Sequence, residues 1–230
     1  MLGLTGLELE ALQVSLKVSL WSLIWTLPLA VGSAWLLART EFRGKAVFNA
    51  LIHVPLVVPP VVIGYLLLVL LGRQGLIGIW LNDWFGIGLV FTWQGAAIAA
   101  SVVAFPLFVR PIRQALEAVD PRLDEAALTL GANKRQAFFA VTLPIVMPGV
   151  FTGALLFFSR ALGEFGATIT FAANIPGETQ TLPLALYTAT QSPGGDPIAM
   201  RLVMMSLVLA LGALILSEWL TRRTYIQRRG

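Results

Sequence analysis

The apolar positions of this 230-residue chain do not alternate with polar ones; they run together. Five runs stand out, at 18–37, 47–71, 91–109, 137–158 and 202–216, the last reaching full length if carried to about 200–220. A helix needs about 20 apolar residues to cross a bilayer. Unbroken runs of that length predict helices, whereas barrel strands alternate over about ten residues. A sixth stretch, about 164–190, is apolar but interrupted by "NIPGETQTLP". With Pro176, Gly177 and Pro183 inside it, it cannot be one continuous lipid-facing helix. It is expected to be re-entrant or to lie on the outer face, packed against protein. The pattern predicts an all-α membrane protein of about five transmembrane helices, forming a single domain over 1–230.

Composition agrees. The chain is 57% hydrophobic and 12% charged, about half the charge of a soluble domain, and its mean hydropathy is +0.80. There is no cysteine, so disulfides and thiolate metal sites are excluded. Twelve of the sixteen basic residues fall in one set of loops and tails: Arg39, Arg43, Lys45, then Arg110, Arg113, Arg122, Lys134, Arg135, then Arg222, Arg223, Arg228, Arg229. The positive-inside rule places these in the cytoplasm, so the N-terminus is expected outside and the C-terminus inside. The pI of about 10.0 follows from this loop bias; attraction to the membrane surface accounts for it without nucleic acid. The first run follows Glu8 and Glu10 with no basic lead, so it is expected to be retained rather than cleaved as a signal.

The runs hold few ionisable groups, where an ion-coupled carrier usually buries several. Lys17 can snorkel from an outer span end. His53 suits an interfacial hydrogen bond better than a proton relay. Arg160 and Glu164, spaced i, i+4, could pair on one helix face, as a structural pair, a gate or a substrate contact. Prolines are common: Pro55, Pro59 and Pro60 in the second run, Pro106 in and Pro111 after the third, Pro144 and Pro148 in the fourth. Each removes a backbone donor and bends its helix, as ordinary kinks or around a cavity. Gly149 and Gly153 form a small-xxx-small pair that permits close packing. No phosphate-binding loop, metal cluster or nucleophile–base constellation is present, so catalysis by this chain is not expected.

One polar island breaks the pattern: "DPRLDEAALTLGANKRQAFFAVTLP", residues 120–144. Asp120 suits an N-cap and Pro121 the first helical position. Asp124 and Glu125 lie near the positive end of the helix dipole, and Gly131 suits a stop. The predicted helix covers about 121–131. Leu123, Ala126, Ala127 and Leu130 recur at i, i+3, i+4, i+7 as one apolar stripe. Such a helix either docks into a groove or lies on the membrane surface.

These residues resemble the cytoplasmic loop motif of bacterial ABC importer permeases: EAA, three residues, G, nine residues, I, any residue, LP. Here stand Glu125-Ala126-Ala127, Gly131, Val141 in place of Ile, Leu143 and Pro144. In that family the loop is a coupling helix docked on a separate ATP-hydrolysing subunit, which implies that role for Asp124, Glu125, Ala126, Ala127, Leu130, Gly131, Leu143 and Pro144. "HVPLVVPPVVIGYLLL", "GLIG" and "RALGEFGATITFAANIPGETQTLP" narrow the resemblance to the molybdate permease subunits, with sulfate and tungstate permeases close by. Leu128 departs from the Arg that many relatives carry. The resemblance implies a type I ABC importer permease fold like that of the molybdate and methionine permeases, in the bacterial cytoplasmic (inner) membrane. It implies a homodimer with a second copy, two ATP-binding subunits that use ATP and Mg, and a periplasmic molybdate-binding protein. This chain itself is expected to bind no cofactor. Pro59, Pro60, Arg160, Glu164, Phe165 and Gly166 become candidates for a gate or path. A stand-alone channel or ion-coupled carrier is the competing class, and it leaves the polar island unexplained.

Overall fold

The structure, a computed structural model, describes residues 5–226, with side chains except those of Pro121, Asp124, Lys134, Leu214 and 216–226. The side chains of Asp124, Lys134, Arg222 and Arg223 are therefore not described, and Arg228 and Arg229 of the basic tail lie outside the described residues. In chain order the elements are α1 (Gly6–Arg39), α2 (Lys45–Val57), α3 (Pro60–Leu71), α4 (Leu76–Phe85), α5 (Trp93–Glu117), α6 (Pro121–Thr129), α7 (Lys134–Ala137), a π-helical turn (Phe138–Thr142), α8 (Leu143–Leu162), α9 (Gly166–Phe171), α10 (Leu182–Gln191) and α11 (Asp196–Ile226).

Among the described residues, four helical stretches are long and apolar enough to cross a membrane: α1, α5, Arg135–Leu162 and Asp196–Ala213. The bent pair α2 and α3 makes a fifth if counted as one span. The central post is α5, with 61% of its span buried against 6% for that of α11. Its sequence explains the position. Ala96, Ala97, Ala100 and Ala104 are buried along it, with Ala30 and Ala34 of α1 in the same core. Small side chains let helix axes approach where lipid supplies no hydrophobic drive between helices. Ser22 of α1 lies 2.9 Å from the Ala97 carbonyl of α5. The glycine pair does the same on the other side: a Cβ on Gly153 would stand 2.7 Å from the Phe108 carbonyl, and Gly149 lies against Ala115 and Pro111. Phe108 and Phe157, both fully buried, fill the centre of this α5–α8 seam with ring centroids 5.1 Å apart.

Several boundaries differ from the apolar runs. The first helix begins at Gly6 rather than 18, because the Thr5 N–H donates to Glu8 Oε2 at 2.7 Å and closes its first turn. The third continues through Pro111 to Glu117, so Arg110 and Arg113 project from a helix rather than a loop. There Arg113 bonds Asn49 Oδ1 at 2.8 Å and Glu117 at 2.7 Å. The second run is not one helix: the chain bends by 117° between α2 and α3. Pro59 and Pro60 remove two successive N–H donors, and Pro60 forces Pro59 to an extended ψ of 135°. The run at 76–85 forms α4, an element that the apolar pattern did not single out.

Candidate functional site

Two places gather the candidate residues. The first is the elbow between α5 and α8. Asp120 Oδ1 accepts from the Arg122 N–H at 3.0 Å and caps α6 at its start. At its end the Ala132 N–H donates to the Ala127 carbonyl and the Gly131 N–H to the Leu128 carbonyl, both at 3.1 Å. This is the Schellman pairing, and it requires the left-handed φ of +91° that Gly131 adopts. Two residues later a second signal restarts the chain. Asn133 and Gln136 exchange side-chain-to-backbone hydrogen bonds at 2.9 Å each, a reciprocal capping box opening α7. The elbow is thus fixed by local bonds at every corner.

Pro144 explains the π turn. It has no N–H, and its ring would strike the carbonyl of residue 140 in a regular α-helix. The turn before it widens, and the Leu143 N–H reaches back to the Phe138 carbonyl instead. Leu143 is half-buried, facing a 370 Å³ apolar cavity between α1, α5 and α8. By contrast, α6 and its C-cap show most of their apolar stripe to the outside: Leu123 is 44% exposed, Leu130 89%, and Ala126 is exposed with Glu125 beside it, while Ala127 is half-buried. Leu128, where the resemblance breaks, is exposed as well.

The second place is the junction of α3, α8 and α9. Glu164 is buried, and its Oε1 accepts from the Ala167 N–H at 2.8 Å, capping α9. Its Oε2 lies 2.6 Å from Arg160 Nη1. That contact is an ion pair without hydrogen-bond alignment, since Oε2 has no aligned donor. The pair forms as its spacing suggests, but not on one helix face, because α8 ends at Leu162 and Glu164 lies beyond its cap. Gly166 stands against Pro60 and Val61: a Cβ there would be 3.0 Å from Pro60 Cβ. Gly64, one turn along α3, meets α9 more tightly, with a would-be Cβ 2.6 Å from the Ala167 carbonyl. Pro59 itself is exposed at the break, and Phe165 packs on Tyr187 with ring centroids 5.3 Å apart. The structure thus brings together Pro60, Glu164 and Gly166 with Arg160, at the point where α3 turns away from α2. Gly64 is a member of this junction that sequence reasoning did not mark; its only signal was a lone glycine in an apolar run.

The segment between α9 and α10 is wired inward. The Ile175 carbonyl accepts from the N–H groups of Glu178, Thr179 and Gln180. The Leu182 N–H donates to Ser15 of α1 at 2.6 Å, and Glu178 accepts from the Trp93 N–H at 3.4 Å. Two helices with a bonded turn between them give the interrupted segment its form. His53 Nδ1 lies 2.8 Å from the Asn49 carbonyl, a local hydrogen bond. Among the described residues no cluster of three or more His, Cys, Asp or Glu could hold a metal.

A bundle of membrane-crossing helices with a bent second span, an exposed short helix on an elbow and an interrupted hairpin has the fold of type I ABC importer permeases. A chain from a bacterial ABC transporter that imports the acidic polysaccharide alginate superposes with a TM-score of 0.76 at 18% identity, over 96% of this chain and 80% of that one. A chain of the inward-facing MetNI methionine ABC transporter gives 0.73 at 15% identity, over 95% and 96%. Residues 26–225 match the family described as binding-protein-dependent transport system inner membrane component, and this chain belongs to it. It is a multi-pass inner-membrane protein. It is 54% identical over 219 residues to the molybdenum transport system permease protein ModB of Escherichia coli (strain K12), covering 95% of this chain and 96% of that protein. It is 36% identical over 218 residues to the sulfate transport system permease protein CysW of Synechocystis, covering 94% and 77%.

Proposed function

We propose that this chain is the membrane-spanning subunit of an ATP-driven importer that carries molybdate into the cytoplasm by alternating access. The observation that carries the coupling half of this reading is α6, a short helix locked at both ends whose leucines are exposed in the described chain. A rigid helix with an uncovered apolar stripe suits a cleft in a second protein, and small residues at Ala126 and Ala127 permit close approach. That protein is an ATP-binding subunit, one for each of two copies of this chain, and it uses ATP and Mg. Closing of the ATPase pair draws the two α6 elbows together. The π turn at Phe138–Thr142 and the start of α8 pass the movement into the bundle.

The N-terminus is outside in this reading, so α6 faces the cytoplasm and the junction of Pro60, Glu164 and Gly166 lies on the route between the two faces. Arg160, Phe165 and Pro59 are its neighbours there. A periplasmic binding protein delivers the oxyanion to the outer face. The charge pattern supports this division of labour. Molybdate is a doubly charged anion, and a conduit that held it tightly would not release it. Few ionisable groups lie within the spans, so selective binding belongs to the delivery protein. The greater identity with the molybdenum permease than with the sulfate permease favours molybdate over sulfate.

The test is reconstitution with the ATP-binding subunit and binding protein, with ATPase activity measured against molybdate-, tungstate- and sulfate-loaded binding protein. Stimulation by the molybdate-loaded form is expected. Stimulation by the sulfate-loaded form alone would change the cargo, and none by any form would refute the coupling.

A further inference from the structure

We propose that the cleft between α1, α4 and α5 holds one acyl chain of an anionic phospholipid, with Lys17 meeting its head-group phosphate. The cleft encloses about 450 Å³ and its wall is almost wholly apolar, with Trp21, Trp25, Leu81, Trp93 and Ile98 among the lining. Three tryptophans form one contiguous cluster, Trp21 lying 6.2 Å from Trp25 and 6.1 Å from Trp93 between ring centroids. Trp25 is 69% exposed, so the cleft is open at the surface of the chain.

A small polar ligand is disfavoured there, because such sites carry a few free polar groups that fix orientation. Of the three polar residues in the wall, two are already spent: Ser22 lies against the Val18 and Ala97 carbonyls, and Ser101 donates to the Ala97 carbonyl, which leaves the exposed amide of Gln94 as the one polar group facing the cleft. What the cleft can satisfy is an apolar chain.

Lys17 supplies the charge. It sits one turn before Trp21 on the same helix face, and its ammonium rests 3.9 Å from the centroid of the Trp93 ring. The described ion pairs engage Lys45, Arg113, Arg160 and Arg201, not Lys17. Glu178, the carboxylate that accepts from the Trp93 backbone N–H, makes no ion pair with Lys17 among the described residues. Depth fits as well. Along α4, Trp80, Trp84 and Phe85 are exposed, with Trp80 against both of the other rings, an aromatic belt of the kind found at the head-group level. The cleft mouth therefore lies where a phosphate and the first methylenes of a lipid would be.

The test is native mass spectrometry of the intact transporter, purified in mild detergent and titrated with phosphatidylglycerol or phosphatidylethanolamine. The wild type should retain one phosphatidylglycerol per copy of this chain in preference to phosphatidylethanolamine. Lys17→Gln should lower that retention about fivefold, the factor corresponding to the roughly 1 kcal/mol of one basic side chain at an anionic surface, and Lys17→Arg should restore it. Ile98→Trp, which fills the cleft while leaving Lys17 in place, should also abolish retention, with assembly checked by size exclusion. Equal retention of the two lipids, or retention that survives either Lys17→Gln or Ile98→Trp, overturns the proposal.

Discussion

Replacing Gly64 by alanine tests the α3–α9 junction most sharply. A methyl there would stand 2.6 Å from the Ala167 carbonyl oxygen, 2.8 Å from Thr170 Cβ and 2.9 Å from Ala167 Cα. Ordinary contact begins near 3.4 Å, so α3 and α9 must separate by about 0.8 Å. Two of those three atoms are backbone, so no rotamer change relieves the overlap. Overpacking of this kind costs about 1–3 kcal/mol. Alanine returns up to about 1 kcal/mol of helix propensity, so from the middle of that range, about 2 kcal/mol, a net loss of about 1–2 kcal/mol remains. For a chain of this size each kcal/mol corresponds to about 2–4 °C. Gly64→Ala should therefore lower the melting temperature of the detergent-solubilised transporter by about 2–8 °C, and Gly64→Val by more. Gly32→Ala is the control, since a Cβ there meets nothing within 4 Å, and it should melt at or slightly above the wild type. If both alanine variants melt together, the close approach of α3 to α9 is wrong, and with it the placement of Pro60 against Gly166.

Other outcomes follow from the same contacts. Ser15→Ala removes the acceptor of the buried Leu182 N–H and should cost about 1–3 kcal/mol. Ser22→Ala should cost less, because the carbonyls it touches lie within helices that already use them, and thermal melts of the pair check the order. Glu164→Ala strips the cap from α9 and the partner from Arg160. Because Arg160 is 30% exposed, its freed charge can reach water, so the loss should stay below the 3–5 kcal/mol of breaking a fully buried pair. Ala127→Asp or Gly131→Leu should uncouple ATP hydrolysis from uptake, or block assembly, while the protein still reaches the membrane; normal uptake in both would end the docking role of α6.

How much of this was legible depended on how local the cause was. The ends of α6 were readable because Asp120, Pro121 and Gly131 act within a few residues of themselves. The capping box at Asn133 and Gln136 was equally local and lay unread beside it. The prolines announced a bend at Pro59 and Pro60, but not its size: 117° is set by the seat of α3 on α9, a contact about a hundred residues away in sequence. The helix at 76–85 was missed because a short apolar run between glycines has no period of its own to mark it. Arg160 and Glu164 were paired correctly by spacing, yet the spacing implied a shared helix, whereas α8 ends at Leu162 and Glu164 Oε1 turns to cap α9. Whether α6 was covered or bare also lay beyond periodicity, which marks a stripe without saying what faces it.

The central claim is that ATP drives molybdate through this chain. It is met most directly by proteoliposomes holding the chain with its ATP-binding subunit, supplied with ATP inside and molybdate-loaded binding protein outside. Molybdate should accumulate only with ATP, and Ala127→Asp should abolish the accumulation. Molybdate that fails to accumulate, or accumulates equally without ATP, contradicts it.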